Sequence, residues 1–556
     1  MNVPIDDVIV FDSRNVWKKF EFSNACIYAA GTVNHSDCKN LIDLIQGDAN
    51  GNLRKIFTDW LGGIKDHFGV ICQFGNMVLA AADRVGSYQI FVADAPSGWM
   101  IGTDGPRLAA AAGLGMLDGH AVLSLAMAGY VTGKQTAIEN LSIFHPGEAL
   151  ILANGTCNRW EYYRFLPREI YPEKADSEWR SDLAKLTLAT LEKLKQLVNG
   201  RQIVVPLSGG LDSRLIASGL KHLGVRNVIC FSYGQRGNFE AATAQKIAEK
   251  LGCSWHFVPM SIGQQKRFFA SDVYRDYLEF SHDFVATPFQ QDLYPLHKLL
   301  SAGLIDGDAV IVNGNSGDFI SGAHIPKFLC DQNDEFKPNI DILTDRFLTK
   351  HYSLWEGKFS REHRKEMQSK LIADLREDHQ ESDSAVLPYA LWERLEFIDR
   401  QSKYVVSGQR IYDFLNLDWQ LPLWSDDYLD FWASVPLKLK ADQRLYKDML
   451  QTENWGDVWH DIPANNKTIR PSWIIPLRIA AKAACAPFGH KTWHRFEKRF
   501  FAYWMDNVCN YALQSYLSAI LEKSIPRNAI SFHTKAYVNF LNERNRSYED
   551  NFINFN

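Results

Sequence analysis

The run Pro206-Leu207-Ser208-Gly209-Gly210-Leu211-Asp212-Ser213 is the sharpest chemical signal in the chain. It closes the β-branched stretch from Arg201 and opens a helical pattern. A strand that stops at Ser-Gly-Gly and starts a helix aims unpaired backbone N–H groups at one point, where the helix dipole adds partial positive charge. Two glycines let a bulky anion approach the backbone, and the Ser208 and Ser213 hydroxyls are further donors. Asp212, which a bare phosphate would repel, is expected to hold Mg²⁺ beside it. The loop is neither a Walker loop, since no G-K-[ST] follows, nor a G-x-G-x-x-G fingerprint. Taken alone it is equally a Gly-rich turn with a serine cap. A second small-residue loop, Val312-Asn313-Gly314-Asn315-Ser316-Gly317-Asp318, ends another buried run and offers a second acid, Asp318.

Both loops need a frame. After Arg201 the text alternates strand and helix: the first loop leads into LDSRLIASGLKHLG, then the strand NVICFSYG (Asn227 to Gly234), the helix NFEAATAQKIAEKLG and the strand SWHFVPM. That order is the mark of right-handed βαβ units in a parallel sheet, whose ligands bind at the carboxyl ends of the strands. A lead-in helix over Ser177–Val198, opened by a serine N-cap, precedes it. Residues 1–165 read differently, as short apolar runs broken by Gly, Asn and Asp with a few helices, which predicts an α+β sandwich. The expected domains are thus 1–165, 175–470 and a helical extension, 471–556.

The chain has 556 residues and a formal charge of −5, an ordinary soluble composition with no global field to gather nucleic acid. The nine cysteines are scattered without metal or disulfide spacing. With no signal-peptide pattern at the first residues and no apolar run long enough for a bilayer, a cytoplasmic location is expected.

The loop PLSGGLDSRLIA resembles the pyrophosphate loop of N-type ATP pyrophosphatases, and its surroundings resemble the asparagine synthetase superfamily. The second strand ends in FSYG, with Tyr233 where the family holds adenine, and Asn313 to Asp318 resembles the family's S-G-E-G-x-D-E loop. The Asp418 to Leu423 segment stands where the family has E-x-R-x-P-F, and Leu445 to Leu450 falls on its K-x-x-L-R helix. In the amino-terminal part, Asp83-Arg84-Val85-Gly86, Gly102-Thr103-Asp104 and Phe144-His145-Pro146-Gly147-Glu148 are similar to landmarks of class II glutamine amidotransferases, an Ntn-type fold. That family uses a cysteine directly after the initiator Met; Asn2 stands there, so the domain is expected to be inactive as a glutaminase.

The resemblance implies a two-step ligase using ATP and Mg²⁺. A carboxylate would attack the α-phosphorus, pyrophosphate would leave into Leu207, Ser208, Gly209, Gly210, Leu211, Asp212 and Ser213, aided by Asn313 and Gly314, and ammonia or an amine would then attack the acyl-adenylate. Asp212 and Asp318 are the expected metal ligands, and Asp318, Lys447 and Lys467 the expected catalytic groups, the two lysines being alternatives. Asn315 and Phe319 replace family acids, which points away from plain aspartate toward another small-molecule or sugar-linked carboxylate, such as a uronic acid in polysaccharide assembly. Asparagine synthesis from glutamine and a nucleotide-binding scaffold without catalysis are the alternatives, and a homodimer is left open. The basic, aromatic stretch Arg478 to Arg499 either packs its aromatics inward or holds an anionic glycan, a nucleotide sugar or a membrane surface.

Overall fold

The computed structural model describes residues 8–9, 16–48, 51–168, 174–330, 339–380, 387–464 and 469–545. Asn2 and Lys467 lie outside the described residues.

The amino-terminal part stacks two sheets. In one, Thr156–Glu161, Glu148–Ala153, Met77–Ala82, Phe68–Phe74, Ala25–Gly31 and Lys18–Phe22 lie side by side, each antiparallel to its neighbour. The other has the order Val8–Ile9, Gly98–Gly102, Phe91–Ala95, Leu141–Ile143. Period-2 side chains explain the layering. Ile71, Val78, Ala80 and Leu150 meet Ile90, Val92 and Ile101 between the sheets. The opposite face of the larger sheet, with Ile27, Val70, Cys72 and Leu79, packs on the helices His35–Gln46 and Leu53–Gly63 through Leu41, Ile42, Phe57 and Trp60. Helices Gly105–Ala111 and Gly119–Ala128 cover the smaller sheet, so the expected α+β sandwich is a four-layer helix–sheet–sheet–helix stack.

The second part is built on five parallel strands: β1 (Ile203–Pro206), β2 (Val228–Gly234), β3 (Ser254–Pro259), β4 (Val310–Val312) and β5 (Asp418–Gln420). Their order is β3-β2-β1-β4-β5. Helices α1 (Asp212–His222) and α2 (Phe239–Leu251) make the crossovers β1-α1-β2 and β2-α2-β3. Strand order reverses direction between β1 and β4, which makes the carboxyl ends of these two strands the switch point where a ligand crevice forms. A short helix α3 (Gly317–Ile320) follows β4, and α4 (Arg444–Glu453) packs on the lead-in helix.

Two expectations are corrected. The lead-in helix spans Asp176–Val198, and Ser177 sits inside its first turn: Ala175 is the N-cap, and its amide donates to the Glu178 carboxylate at 2.8 Å. Asp418–Gln420, read only as a motif, is the fifth strand of the sheet, pairing Val312 with Gln420. A three-residue strand is too short to show a period in sequence.

The chain after residue 470 begins with a helical hairpin, α5 (Ile474–Cys485) and α6 (His490–Phe500). Of its aromatics, Trp493 is buried but Phe488 is 72% exposed, so inward packing holds only in part. No helix among the described residues is long and apolar enough to cross a membrane.

Candidate functional site

The first loop is held by its own hydroxyls. The Ser208 amide donates to Ser213 Oγ at 3.0 Å, and the Gly210 amide donates to Ser208 Oγ at 3.2 Å. Leu207 still belongs to the ladder, its amide donating to Phe231 at 2.8 Å. Leu211 is the N-cap of α1 and supplies no side-chain cap, which leaves the helix N-terminus to an external acceptor.

The two loops meet at Asp212. Its Oδ2 accepts from the Asp318 amide at 3.0 Å and its Oδ1 accepts from the Tyr446 hydroxyl, on α4, at 3.0 Å. This approach depends on glycine. A Cβ on Gly314 would lie 2.7 Å from the Asp212 carbonyl carbon, and one on Gly317 would lie 2.6 Å from Asp212 Cγ. Burial, and then the charge of Asp318, push Asp212 up to about 7.

Asp318 is balanced by a cation that no motif announced. His324 Nε2 contacts Asp318 Oδ2 at 3.1 Å, and its Nδ1 is hydrogen-bonded to Glu396, a fully buried carboxylate. Burial opposes the charge on His324, but these two carboxylates raise it to about 9. In turn the His324 hydrogen bond outweighs burial and holds Asp318 below its ordinary value. Asn315 points its amide N–H at Asn313 Oδ1, 3.1 Å away, and Phe319 is buried in the aromatic core with Phe165, Phe397 and Trp424.

Asn313 joins a second network. Its Nδ2 donates to the Tyr412 hydroxyl at 2.9 Å, and Tyr412 and Tyr233 donate to the two oxygens of buried Asp292 at 2.8 and 2.7 Å. Tyr233 is therefore fixed at the end of β2 by its hydroxyl. Arg214, unremarked in the sequence although it follows the loop directly, is buried and donates to the carbonyls of Gly209 (2.9 Å), Ile462 (2.7 Å) and Val458 (3.2 Å). Burial lowers it to about 10.

The lysines part ways. Lys447 is on the exposed side of α4 and donates to the Asp442 carbonyl at 2.7 Å; its neighbour Tyr446 is the residue that reaches Asp212. The segment that leads to Lys467 does come to the loop, with the Ala464 carbonyl 3.7 Å from the Cβ position of Gly209.

Asp212 and Asp318 suit a divalent cation shared with a phosphate. The Asp212 carboxylate lies against the Asp318 amide, and burial together with the Asp318 charge drives it upward, a shift that a cation would relieve. Among the described residues no three His, Cys, Asp or Glu side chains form a closed metal cage.

Beyond the ends of β2 and β3 lies a cleft of about 450 Å³ lined by Gln235, Arg236, Met260, Trp473 and Trp504. The two indoles meet edge to face at 5.7 Å.

Residues 193–452 match the asparagine synthase family model. Both loops, all five parallel strands and Tyr446 lie within that span. A curated relative, "Probable asparagine synthetase [glutamine-hydrolyzing]" of Acanthamoeba polyphaga mimivirus, is 44% identical over 70 residues, covering 12% of this chain and 13% of that protein. Among solved structures, NMN synthetase from Francisella tularensis aligns at 14% identity over 49% of this chain and 97% of its own, with a TM-score of 0.19. Glutamine phosphoribosylpyrophosphate amidotransferase from B. subtilis aligns at 11% identity over 53% of this chain and 57% of its own, with a TM-score of 0.18.

Proposed function

We propose that this protein is an ATP-dependent carbon–nitrogen ligase of the asparagine synthetase type, which adenylates a carboxylate and passes the acyl group to ammonia or an amine. The observation that carries the reading is the meeting of Asp212 and Asp318 beside an uncapped helix N-terminus at the switch point of the sheet. The asparagine synthase match over 193–452 supports the class of reaction. The organisation we propose is a sandwich over 1–165, the ligase over 175–470 and the helical extension 471–556.

In the first step a substrate carboxylate oxygen attacks the α-phosphorus of ATP, and the bond to pyrophosphate breaks. The loop Ser208 to Ser213 receives the leaving anion, its shape already set by the two serine hydroxyls, so little reorganisation is needed as charge develops. Magnesium, held by Asp212 and Asp318, would neutralise charge on the pyrophosphate oxygens. His324 and Glu396 orient Asp318, while Tyr446 and the Asp318 amide orient Asp212. Arg214 ties the loop to the segment 458–464.

The carboxylate we favour is borne on a sugar. Its support is the cleft beyond β2 and β3, where exposed Trp473 and Arg236 offer a stacking face and a cation. For the amino-terminal sandwich we propose a structural role rather than glutamine hydrolysis; its Cys38 and Cys72 are packed in the core, where burial pushes both thiols up to about 12. The mimivirus relative's name favours a second reading, asparagine from aspartate with glutamine as donor.

The test is ATP–pyrophosphate exchange with Mg²⁺ on a panel of aspartate, hexuronic acids and nucleotide-linked uronates. Exchange that requires a uronate and vanishes in Asp212→Ala supports the reading; exchange with aspartate alone, coupled to glutaminase activity, selects the second. ATP binding without exchange on any carboxylate would leave a nucleotide-binding scaffold.

A further inference from the structure

The α5–α6 hairpin has an outer face that nothing in the described protein covers. Ile474, Arg478, Ala481 and Cys485 recur at helical spacing and turn inward, where Ile474 and Cys485 pack with Trp493 and Phe501. Arg478 is satisfied there, pairing with Glu497 at 2.6 Å and lying over Trp493. The remaining faces of α5 are exposed and almost wholly apolar. Trp473, Leu477, Ile479 and Phe488 are 53%, 55%, 62% and 72% exposed, with Ile475 beside them. Scattered surface apolar residues are ordinary, but these flank exposed Pro476, Ala480 and Ala483, so the uncovered side of α5 is apolar from one flank to the other and marks an interaction face.

Charge identifies the occupant. Between residues 470 and 499 the chain carries seven Lys and Arg against one acid, Glu497, in a protein whose formal charge is −5. Lys482, Lys491 and Lys498 make no ion pair among the described residues, while Arg495 is paired with Glu356 and Arg478 with Glu497. A second copy meeting this face across a two-fold axis would set one basic rim against another. An anionic, apolar surface satisfies both features at once. At 12 residues α5 is too short to span a bilayer, but a helix with an apolar face and flanking lysines lies in the plane of the headgroups.

We propose that the α5–α6 hairpin docks this protein onto an anionic phospholipid membrane. Ile475, Leu477, Ile479 and Phe488 enter the acyl boundary, and Lys482, Lys491 and Lys498 reach the phosphates. The cleft bounded by Trp473 and Trp504 lies at the foot of the hairpin and so comes to the membrane surface. Docking does not depend on the ligase reading.

Full-length protein is tested by flotation with phosphatidylcholine vesicles, with and without phosphatidylglycerol. We expect binding to the anionic vesicles at low salt, roughly tenfold or more tighter than to phosphatidylcholine alone, and its loss at high salt. The triple variant Ile475→Ser, Leu477→Ser, Ile479→Ser is expected to lower partition roughly tenfold or more. Each of Lys482→Glu, Lys491→Glu and Lys498→Glu is expected to weaken it roughly fivefold or more. All six positions are on the surface, so the melting temperature checks that the fold is intact. Brominated lipid should quench tryptophan fluorescence, and less so in Trp473→Phe. The proposal is overturned if the native protein stays with neither vesicle, or if binding survives both sets of changes. It is also overturned if the apolar variant abolishes a concentration-dependent dimer while no vesicle binding exists, which would give the face to a second copy.

Discussion

The two halves of the molecule bury acidic residues to opposite ends. In the amino-terminal sandwich Glu148 is fully enclosed, yet it accepts from Lys134 (2.9 Å), Arg159 (2.8 and 2.9 Å) and the His145 amide (2.8 Å). Burial would raise it, but Arg159 and Lys134 hold it down to about 2. Asp83 spends its oxygens on the amides of Phe68, Val85 and Ser87, which do not overcome the upward push of burial, and Arg84 beside it bridges to Asp426 and Asp430 of the second part. At the carboxyl ends of the middle strands of the parallel sheet, burial and then the charge of Asp318 drive Asp212 up to about 7. Glu148, answered by two cations, braces its fold, whereas Asp212, whose partners among the described residues are an amide and a hydroxyl, is poised for a ligand.

Substitutions can break this contrast. The largest effect is expected for Asp212→Asn. Pyrophosphate exchange should fall roughly 10³-fold, about 4 kcal/mol of transition-state stabilisation, while the melting temperature stays level or rises because a buried carboxylate that burial pushes upward is replaced by a neutral amide. A loss of stability would place Asp212 with the bracing acids instead.

Glu148→Gln should behave in the opposite way. Its carboxylate is held near 2 in the folded chain against about 4.5 in the unfolded one. A depressed carboxylate stabilises at pH above its unfolded value, and the contribution is lost as pH falls from about 4.5 toward 2. That is worth ~3 kcal/mol at neutral pH. Denaturant melts of wild type and Glu148→Gln should therefore differ by this amount at pH 7 and converge toward pH 2. An unchanged difference in acid would contradict the assignment.

Gly314→Ala tests the junction of the two loops itself. The added methyl meets the Asp212 and Ser213 backbone at 2.7 and 2.8 Å, so the two loops must separate. A shift of this size at a reacting centre costs roughly 10²-fold, and exchange kinetics against Gly307→Ala, where no atom lies within 4 Å, isolates the effect. The smallest change is expected for Tyr446→Phe, which removes one hydrogen bond from Asp212. It should cost about 1 kcal/mol, or roughly fivefold in exchange, with stability nearly unchanged.

Much of this architecture was readable because its determinants are local. β1 and the loop after it are a β-branched run ended by Ser-Gly-Gly, and strand–helix alternation implies a parallel sheet whatever the rest of the chain does. The amino-terminal strands were legible from turn residues, although not which sheet each would join. β5 was not legible, since three residues carry no period and their place is set by pairing with β4 across more than a hundred residues.

The site divides along the same line. Residue type and order in the chain alone determined that Ser208, Asp212 and Ser213 would share one loop and that Asp318 would end another strand, because a backbone cradle is built by consecutive residues. Only the tertiary structure decided the partners. It chose Tyr446 over Lys447 at Asp212, through which face of α4 turns inward. It set His324 and Glu396 behind Asp318 and used Arg214 to tie the loop to residues 458–464. It left one side of α5 bare beside its basic rim. Such contacts join residues far apart in the chain, and their strength comes from burial, a property that no single stretch of sequence carries by itself.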